Sequence, residues 1–265
     1  MPIHFPVEIC NLSKLEFDAV DKIVMRCAYD TQNSLGRLCD EQVYETDLAI
    51  RLRAEGMADV HTQLPVTVAH GSFEKTYRLD LVADHAVYEL KTVAALAPIH
   101  DSQAIHYAML VGICHCKLLN FRSTRVQDRL RFNAVTPADR LRIAWDTSQW
   151  QRLSAACTEL RNLTQDIICD WGSFLEYRLY SEALLHFCGG EAKCTKRVPV
   201  IRDGVTLGKH RVQCHADDMF FFVTALNREL AQYSIQLRRL LQLTGFKAAQ
   251  WVNINHATVQ FITVR

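Results

Sequence analysis

The chain of 265 residues is 49% hydrophobic and 22% charged, and its formal net charge at pH 7 is +1. These values are typical of a globular protein with one large or two small domains, and they exclude an overall basic field that would attract nucleic acid. No apolar run reaches the roughly 18 residues that a membrane span needs, and the N-terminus lacks a signal-peptide pattern. We therefore expect a cytoplasmic protein that makes no membrane contact.

The first half of the chain predicts an alternation of helices and strands. Apolar residues at helical spacing predict amphipathic helices over residues 7–29 and 40–55. Residues 61–93 carry apolar runs separated by turn residues, which predicts three or four strands. A helix over residues 99–112 and a buried strand over residues 116–121 complete an α/β unit with a mixed sheet.

Residues 122–170 have a different composition. The segment "RSTRVQDRLRFNAVTPADRLRIAW" is rich in arginine and is interrupted by Pro137, and an apolar period returns between Trp145 and Trp171. We interpret this region as a connector followed by the opening helix of a second unit. Its arginines either form a rim that binds nucleic-acid phosphates or belong to a solvated linker face.

The ten cysteines do not predict a metal site or a disulfide framework. No C-x-x-C pair occurs in the chain, and the tightest cluster is Cys114, His115 and Cys116. Most of the cysteines lie among apolar residues, where the thiol packs as a small hydrophobe. In an intracellular protein we expect them to stay reduced.

An internal repeat relates the two halves of the chain and extends over about 90 residues, a length that indicates repeated architecture. The matched residues are Tyr44 with Tyr180, Pro65 with Pro199, Gly71 with Gly204, Arg78 with Arg211, Gln103 with Gln236, Gly112 with Gly245 and Asn120 with Asn253. We therefore predict two copies of one fold, in domains that comprise residues 1–122 and 123–265.

The repeat isolates three charged residues in a segment that otherwise predicts two apolar strands. Asp80, Glu89 and Lys91 lie in "RLDLVADHAVYELK". At the corresponding positions the second copy has Gln213, Phe222 and Thr224. Buried charges cost several kcal/mol unless they are paired or hold a metal, and the second copy shows that the fold does not need them. We therefore predict a functional site here rather than a solvated sheet edge.

The residue types in this cluster favour phosphate chemistry. Asp80 and Glu89 lie on neighbouring predicted strands, so their carboxylates can converge on one hard cation such as Mg²⁺. Lys91 follows Glu89 by two residues and therefore lies on the same face of its strand. There it can orient or deprotonate a water molecule, or balance charge on a phosphate. Attack of a metal-bound water on a phosphodiester fits this pattern.

The pattern of Asp80 followed by Glu-x-Lys on the next strand resembles the PD-(D/E)XK nuclease superfamily. Within it, the segments "LGRLCDEQVYE", "RLDLV", "VYELKTV" and "LAPIHDSQAIHY" resemble the GxxExxY proteins, a small bacterial group, over about residues 33–122. One departure is Leu38, which replaces the glycine that names the motif. In the second copy, Glu176 falls one residue away from the register of Glu41.

The resemblance implies an α/β fold with two tandem PD-(D/E)XK-like domains, each a mixed central sheet flanked by helices, of which the second is degenerate and inactive. It implies a Mg²⁺ or Mn²⁺ cofactor and cleavage of nucleic acid, DNA rather than RNA. The implied metal ligands are Glu41, Asp80 and Glu89, and the implied catalytic set is Asp80, Glu89, Lys91 and Gln103, with Tyr107 one turn after the glutamine.

Two other classes of function stay open. One is a non-catalytic assembly or regulatory subunit, whose remaining site no longer turns over. The other is a nucleic-acid-binding module that uses the arginine-rich connector. A homo-oligomer or a protein partner is compatible with each of these readings. Metal binding that is lost in Asp80→Ala would support the nuclease, whereas salt-dependent DNA binding that survives this substitution would support the binding module.

Overall fold

The computed structural model describes residues 2–265, which form two compact units. One unit contains the residues up to Ala69 together with 74–137, and the other contains residues 70–73 and 138–265. Each unit is a mixed α/β structure in which helices flank a six-stranded sheet. Within residues 2–265, the helices are either too short or too polar to cross a membrane.

The first unit begins with a short strand and two helices and continues into the main strands of its sheet. In chain order its elements are β1 (Ile3–His4), α1 (Lys14–Leu35), α2 (Glu41–Ala54), β2 (Val60–His70), β3 (Phe73–Ala83), β4 (Ala86–Lys91), α3 (Pro98–Val111), β5 (His115–Asn120) and β6 (Gln127–Phe132).

The ends of α1 follow from its capping residues. The Ser13 hydroxyl accepts a hydrogen bond from the Glu16 amide, and the Glu16 carboxylate accepts one from the Ser13 amide at 2.8 Å, which forms a capping box. The helix ends at Gly36, whose φ of 73° suits a residue without Cβ. The helix predicted over residues 7–29 is therefore correct in type but wrong in its bounds, since α1 covers Lys14–Leu35. The short strand β1, which was not predicted, pairs with β2.

The first sheet has the order β1-β2-β3-β4-β5-β6. β3 and β4 are antiparallel, β4 and β5 are parallel, and β5 and β6 are antiparallel, so the predicted mixed sheet is confirmed. The core packs Tyr44 and Leu48 of α2 with Tyr88 and Leu90 of β4. Because side chains alternate along a strand, this packing places Glu89 on the opposite face of β4.

The second unit has a similar succession of elements. In chain order they are α4 (Pro137–Arg140), β7 (Ala144–Gln149), α5 (Ala155–Trp171), α6 (Tyr177–Phe187), α7 (Gly190–Cys194), β8 (Thr195–Arg202), β9 (Val205–Ala216), β10 (Met219–Thr224), α8 (Leu230–Thr244), β11 (Ala248–Asn255) and β12 (Thr258–Val264).

Five strands of the second sheet follow the same order as five strands of the first. The second sheet has the order β7-β12-β11-β10-β9-β8, so β8 to β12 correspond to β2 to β6. The parallel pairs also share a register: Glu89 lies opposite Leu118, and Phe222 lies opposite Trp251. The sheets differ in the sixth strand, because β1 pairs with β2 whereas β7 pairs with β12.

Two buried asparagines make the same contacts in the two units. Asn120 donates to the Val93 carbonyl at 2.8 Å and accepts from the Val93 amide at 3.1 Å. Asn253 donates to the Leu226 carbonyl at 2.9 Å and accepts from the Leu226 amide at 2.7 Å. Each asparagine thereby anchors the loop that follows β4 or β10.

The connector interpretation of residues 122–170 is wrong in part, because this region contains β6 and β7. Both are edge strands with mostly polar, partly or fully exposed side chains, so the apolar alternation of a half-buried strand is weak. Arg129 and Arg131 contact Asp101 at 2.8 and 2.7 Å, and Arg140 is buried. Arg129 and Arg131 are therefore ion-paired within the first unit and partly exposed, and Arg140 does not belong to the solvated linker face that was one of the two expectations.

Candidate active site

The pairing of β3 with β4 ends beside the charged cluster. The last paired residues are Leu81 and Tyr88. Beyond them, the Asp80 carboxylate accepts a hydrogen bond from the Leu90 amide at 2.8 Å. A buried amide without an acceptor on the neighbouring strand needs another acceptor, and the Asp80 carboxylate supplies it for the Leu90 amide. Glu89 consequently lies at the point where the two strands separate.

The ammonium of Lys91 lies at the centre of the cluster. Its Nζ is 2.6 Å from Glu89 Oε1, 3.7 Å from Asp80 Oδ2 and 4.0 Å from Glu41 Oε1. It also donates to the Leu90 carbonyl at 2.7 Å. The Lys91 side chain is 12% exposed and that of Glu89 is 2% exposed, so solvent screens their ion pair little. The structure thus gathers the predicted metal ligands and the predicted lysine around one point.

Helix α2 presents two carboxylates to this cluster. Glu41 is its first residue, where the helix dipole favours a negative charge. Glu45 follows one turn later on the same face and is buried. Burial raises the pKa of Glu45, the hydrogen bond from Gln63 opposes this shift, and Asp80 and Glu41 add to it. Glu45 was not predicted, although its spacing from Glu41 was a usable signal.

Gln63 links α2 to the strand that carries Asp80. Its Nε2 donates to Glu45 Oε2 at 2.5 Å and lies 3.4 Å from Asp80 Oδ1. Its φ of 51° lies in the left-handed region, which is uncommon for a residue other than glycine, and its carbonyl accepts from Arg78 at 3.2 Å. Such strained residues concentrate at functional sites, and nothing in the sequence pattern predicts this one.

Burial dominates the electrostatics of Glu89. Its pKa is raised to about 8, first because burial disfavours the carboxylate and then because Asp80 lies close, while Lys91 opposes the shift. The Oε2 atom of Glu89 is buried and receives no hydrogen bond from a donor among residues 2–265, and the contact of the Glu89 side chain with Asp80 favours its protonated form. A buried oxygen of this kind is satisfied by a proton or by a cation.

The other charged groups of the cluster respond to the same field. Burial raises the pKa of Glu41, Lys91 lowers it, and Asp80 raises it again. For Lys91, burial alone would lower the pKa, but Glu89, Asp80 and Glu41 reverse this effect and raise it. Lys91 is therefore protonated at neutral pH and acts as a cation in this arrangement.

Helix α3 contributes a tyrosine and a glutamine to the surroundings of the cluster. Gln103 Nε2 donates to the Tyr107 hydroxyl at 3.1 Å. The pKa of Tyr107 is raised to about 12, mainly by burial, and the charges of Glu89 and Asp80 raise it further against the Gln103 hydrogen bond. Gln103 thus contacts Tyr107, which in turn interacts with the charges of Glu89 and Asp80. The supporting role predicted for Gln103 stays a prediction.

The donor set fits a hard divalent cation. Glu41, Asp80 and Glu89 supply carboxylate oxygens, the ligands that Mg²⁺ and Mn²⁺ prefer, and Glu89 Oε2 receives no hydrogen bond from a donor in the described part of the chain. Across residues 2–265, no three His, Cys, Asp or Glu side chains are already arranged to hold a metal ion. The Lys91 ammonium lies among the three carboxylates, within 4.0 Å of each.

The corresponding region of the second unit is uncharged. Phe222 and Thr224 occupy the positions of Glu89 and Lys91, and Phe222 is half-buried against the core. The Thr224 hydroxyl donates to Asn253 Oδ1 at 2.7 Å and accepts from Trp251 Nε1 at 2.8 Å. Hydrogen bonds within the fold therefore use the side chain that stands in the place of the lysine.

Residues 18–132 match a family model described as the PD-(D/E)XK nuclease superfamily. The matched stretch begins within α1, ends with β6, and contains the residues predicted for the site, which are Glu41, Asp80, Glu89, Lys91 and Gln103. The match indicates a nuclease-like fold for this stretch. The narrower resemblance to the GxxExxY group stays a prediction. No curated protein and no solved structure matches the chain.

Proposed function

We propose that the first unit hydrolyses nucleic-acid phosphodiester bonds with a divalent metal ion, and that its substrate is DNA rather than RNA. The observation that carries this proposal is the Lys91 ammonium within 4.0 Å of the carboxylates of Glu41, Asp80 and Glu89. A group of ionisable side chains that includes the almost fully buried Glu89 is unfavourable in a fold that only has to pack. The match to the nuclease superfamily supports the same reaction class.

The carboxylates of the cluster have separate tasks in this proposal. Glu41, Asp80 and Glu89 would hold Mg²⁺ or Mn²⁺, which supplies a Lewis acid and a more acidic water when bound. Glu89 must be ionised to act as a ligand, so its raised pKa couples metal binding to proton release. Glu45 acts through Gln63, whose amide also reaches Asp80, and we assign both residues to positioning.

Lys91 supplies the positive charge of the site. Its ammonium can donate to an attacking water and balance the negative charge that develops on a phosphate. Abstraction of a proton by Lys91 would first require loss of its own proton, which the surrounding carboxylates oppose by raising its pKa. We therefore assign Lys91 to orientation and charge balance rather than to general-base catalysis.

We also propose that the second unit is a degenerate copy of the first that has lost the metal site. The shared order of five strands, the register of Phe222 opposite Trp251 and the contacts of Asn253 support a common origin. The domain assignment to residues 1–122 and 123–265 stays a prediction. In this proposal the second unit serves as a scaffold or a docking module.

Cleavage by the full chain and by Asp80→Asn tests the nuclease proposal. We expect wild-type cleavage of DNA with Mn²⁺ or Mg²⁺, no cleavage with EDTA, and a rate about 10³-fold lower in Asp80→Asn, as for loss of a main electrostatic group. Lys91→Met, which keeps most of the apolar stem, should show a similar loss. Asp18→Asn, which alters an exposed carboxylate of α1 paired with Lys14, should cleave at the wild-type rate.

Calorimetric titration with Mn²⁺ separates this proposal from its rivals. Mn²⁺ uptake that is lost in Asp80→Asn, without cleavage of DNA or RNA, would favour a non-catalytic assembly or regulatory subunit. Salt-dependent DNA binding without Mn²⁺ uptake would favour a binding module and reject the nuclease. Parallel assays on matched DNA and RNA strands decide the substrate, and light scattering at several concentrations decides whether the chain forms a homo-oligomer.

A further inference from the structure

The second unit contains a cavity of about 510 Å³ where the first unit carries its charged cluster. The cavity lies among α6, β9, β10 and α8, and Gln213 and Phe222, which correspond to Asp80 and Glu89, both line it. Ligand sites in proteins commonly have volumes of about 300–1,000 Å³, so this cavity can hold a nucleoside-sized group.

The lining of this cavity combines aromatic rings with amide and hydroxyl groups. Tyr177 and Tyr233 line it together with Phe222, and Tyr233 packs on Trp251 with ring centroids 4.8 Å apart. Tyr177 is 40% exposed, which leaves its ring accessible at the cavity mouth. Aromatic faces of this kind bind planar rings by stacking.

The polar groups of the cavity are suited to a neutral ligand. In the part of the chain that the structure describes, no charged side chain lines it, in contrast to the cluster of the first unit. The Ser181 hydroxyl donates to Gln213 Oε1 at 3.5 Å. The Arg178 side chain bonds to Tyr177 but does not line the cavity. A lining without charge that offers an amide and aromatic rings disfavours metal ions and suits a heterocyclic base.

We propose that this cavity binds one unpaired nucleobase of a single-stranded nucleic acid, with the base stacked on Tyr177 and hydrogen-bonded to Gln213. The proposal rests on the proposed function, because a nucleic-acid substrate is what would bring such a base to the chain. The degenerate site would thus bind a base. Gln213, which corresponds to Asp80 of the first unit, has a side-chain amide that can form hydrogen bonds with the edge of that base.

The test uses the full chain in EDTA and a short single-stranded oligonucleotide that carries one 2-aminopurine. Stacking on an aromatic ring should quench the fluorescence of this base, and Tyr177→Ala should weaken binding about tenfold, the order expected for loss of one stacking ring. Gln213→Ala should weaken binding less. Tyr29→Ala is the matched control, because Tyr29 lies on α1 of the first unit and is 41% exposed.

Two results would overturn the inference. One is wild-type affinity in Tyr177→Ala, and the other is equal affinity for an oligonucleotide in which the probe nucleotide is abasic, since that result shows phosphate recognition alone. A cleavage assay of the wild type with Mn²⁺ keeps this outcome separate from the nuclease proposal. Quenching that depends on Tyr177, together with a wild type that cleaves neither DNA nor RNA with Mn²⁺, rejects the nuclease only, whereas cleavage with Mn²⁺ but without such quenching in EDTA rejects the pocket only.

Discussion

The strands β4 and β10 occupy the same place in their two sheets and differ in chemistry. Glu89 of β4 lies opposite Leu118, and Phe222 of β10 lies opposite Trp251, in parallel pairs with the same register. The sheet therefore forms whether this position carries a carboxylate or an aromatic ring. Because the architecture does not require the charge, the charge in the first unit has to be explained by what the site does.

The comparison also shows where each unit gains or loses stability. In the first unit, burial raises the pKa of Glu41, Glu45 and Glu89, which means that the fold disfavours their ionised forms. In the second unit, Phe220 is fully buried and Phe222 packs against it with ring centroids 5.3 Å apart. The buried carboxylates therefore lower the stability of the first unit, whereas the packed rings stabilise the second. Functional sites commonly reduce the stability of a fold in this way.

Transfer of the charged residues to the second unit should give the largest effect on stability. We expect the triple variant Gln213→Asp, Phe222→Glu and Thr224→Lys to lose about 3 kcal/mol or more of unfolding free energy, because it replaces the ring that packs on Phe220 by a carboxylate and removes the contacts of the Thr224 hydroxyl. Urea denaturation followed by tryptophan fluorescence measures the loss.

A matched control separates charge from packing in this experiment. Phe222→Leu alone keeps the position apolar and should cost only about 1 kcal/mol, as expected for a hydrophobic replacement with partial repacking. A triple variant as stable as the wild type would show that the second unit accepts a charged cluster readily. The contrast between β4 and β10 would then no longer identify a functional site.

A smaller effect is expected when the first unit loses a charge. The raised pKa of Glu89, about 8 against an ordinary 4.5, means that its protonated form stabilises the fold below pH 4.5 and that this contribution is lost as the pH rises through 8. We expect Glu89→Gln to remove this dependence and to be about 2 kcal/mol more stable than the wild type above pH 8 in EDTA. Thermal unfolding between pH 4 and 9 measures the difference.

Addition of Mg²⁺ sharpens the same prediction. A ligand that binds only the folded state raises its stability, so Mg²⁺ should raise the Tm of the wild type and should raise that of Glu89→Gln much less. Equal shifts in the two proteins would remove Glu89 from the proposed metal ligands. A wild type whose stability is constant between pH 5 and 8 would contradict the raised pKa itself.

Sequence patterns were sufficient for the parts of the fold that depend on strong periodicity. The helix over residues 40–55 and the strand over 116–121 occur within about two residues of their predicted bounds, as expected when one apolar face packs against a core. The strands β6 and β7 were missed, because an edge strand can be polar on both faces. Their pairing depends on backbone groups that the sequence does not display.

The site was predictable to the extent that charge stood out against an apolar background. Asp80, Glu89 and Lys91 interrupt buried strands, so their types alone marked the position. Gln63 gave no such signal, because its contribution depends on a left-handed backbone conformation that brings its amide to Glu45. Residues that position a site through an unusual φ have to be found in coordinates.

The smallest expected effect tests whether the two units are equivalent where they look alike. Tyr44 and Tyr180 are fully buried, and their hydroxyls donate to the carbonyls of Gly36 at 2.9 Å and of Gly172 at 2.6 Å. Each hydroxyl also interacts with a backbone amide five residues before its tyrosine. The two tyrosines therefore tie the turn between two helices to the second helix in the same way.

Because these contacts are equivalent, Tyr44→Phe and Tyr180→Phe should cost a similar amount, about 1 kcal/mol each, the usual contribution of a buried hydrogen bond whose partners are left unsatisfied. Native-state hydrogen exchange measures this separately for the two units, through the amides of β4 and β10, and Tyr29→Phe is the exposed control. Equal losses are what one architecture in two copies requires. A loss above about 2 kcal/mol in one unit and none in the other would exceed the usual variation in the stability contribution of a buried hydrogen bond. It would show that the two tyrosine hydrogen bonds contribute unequally to the stability of their units.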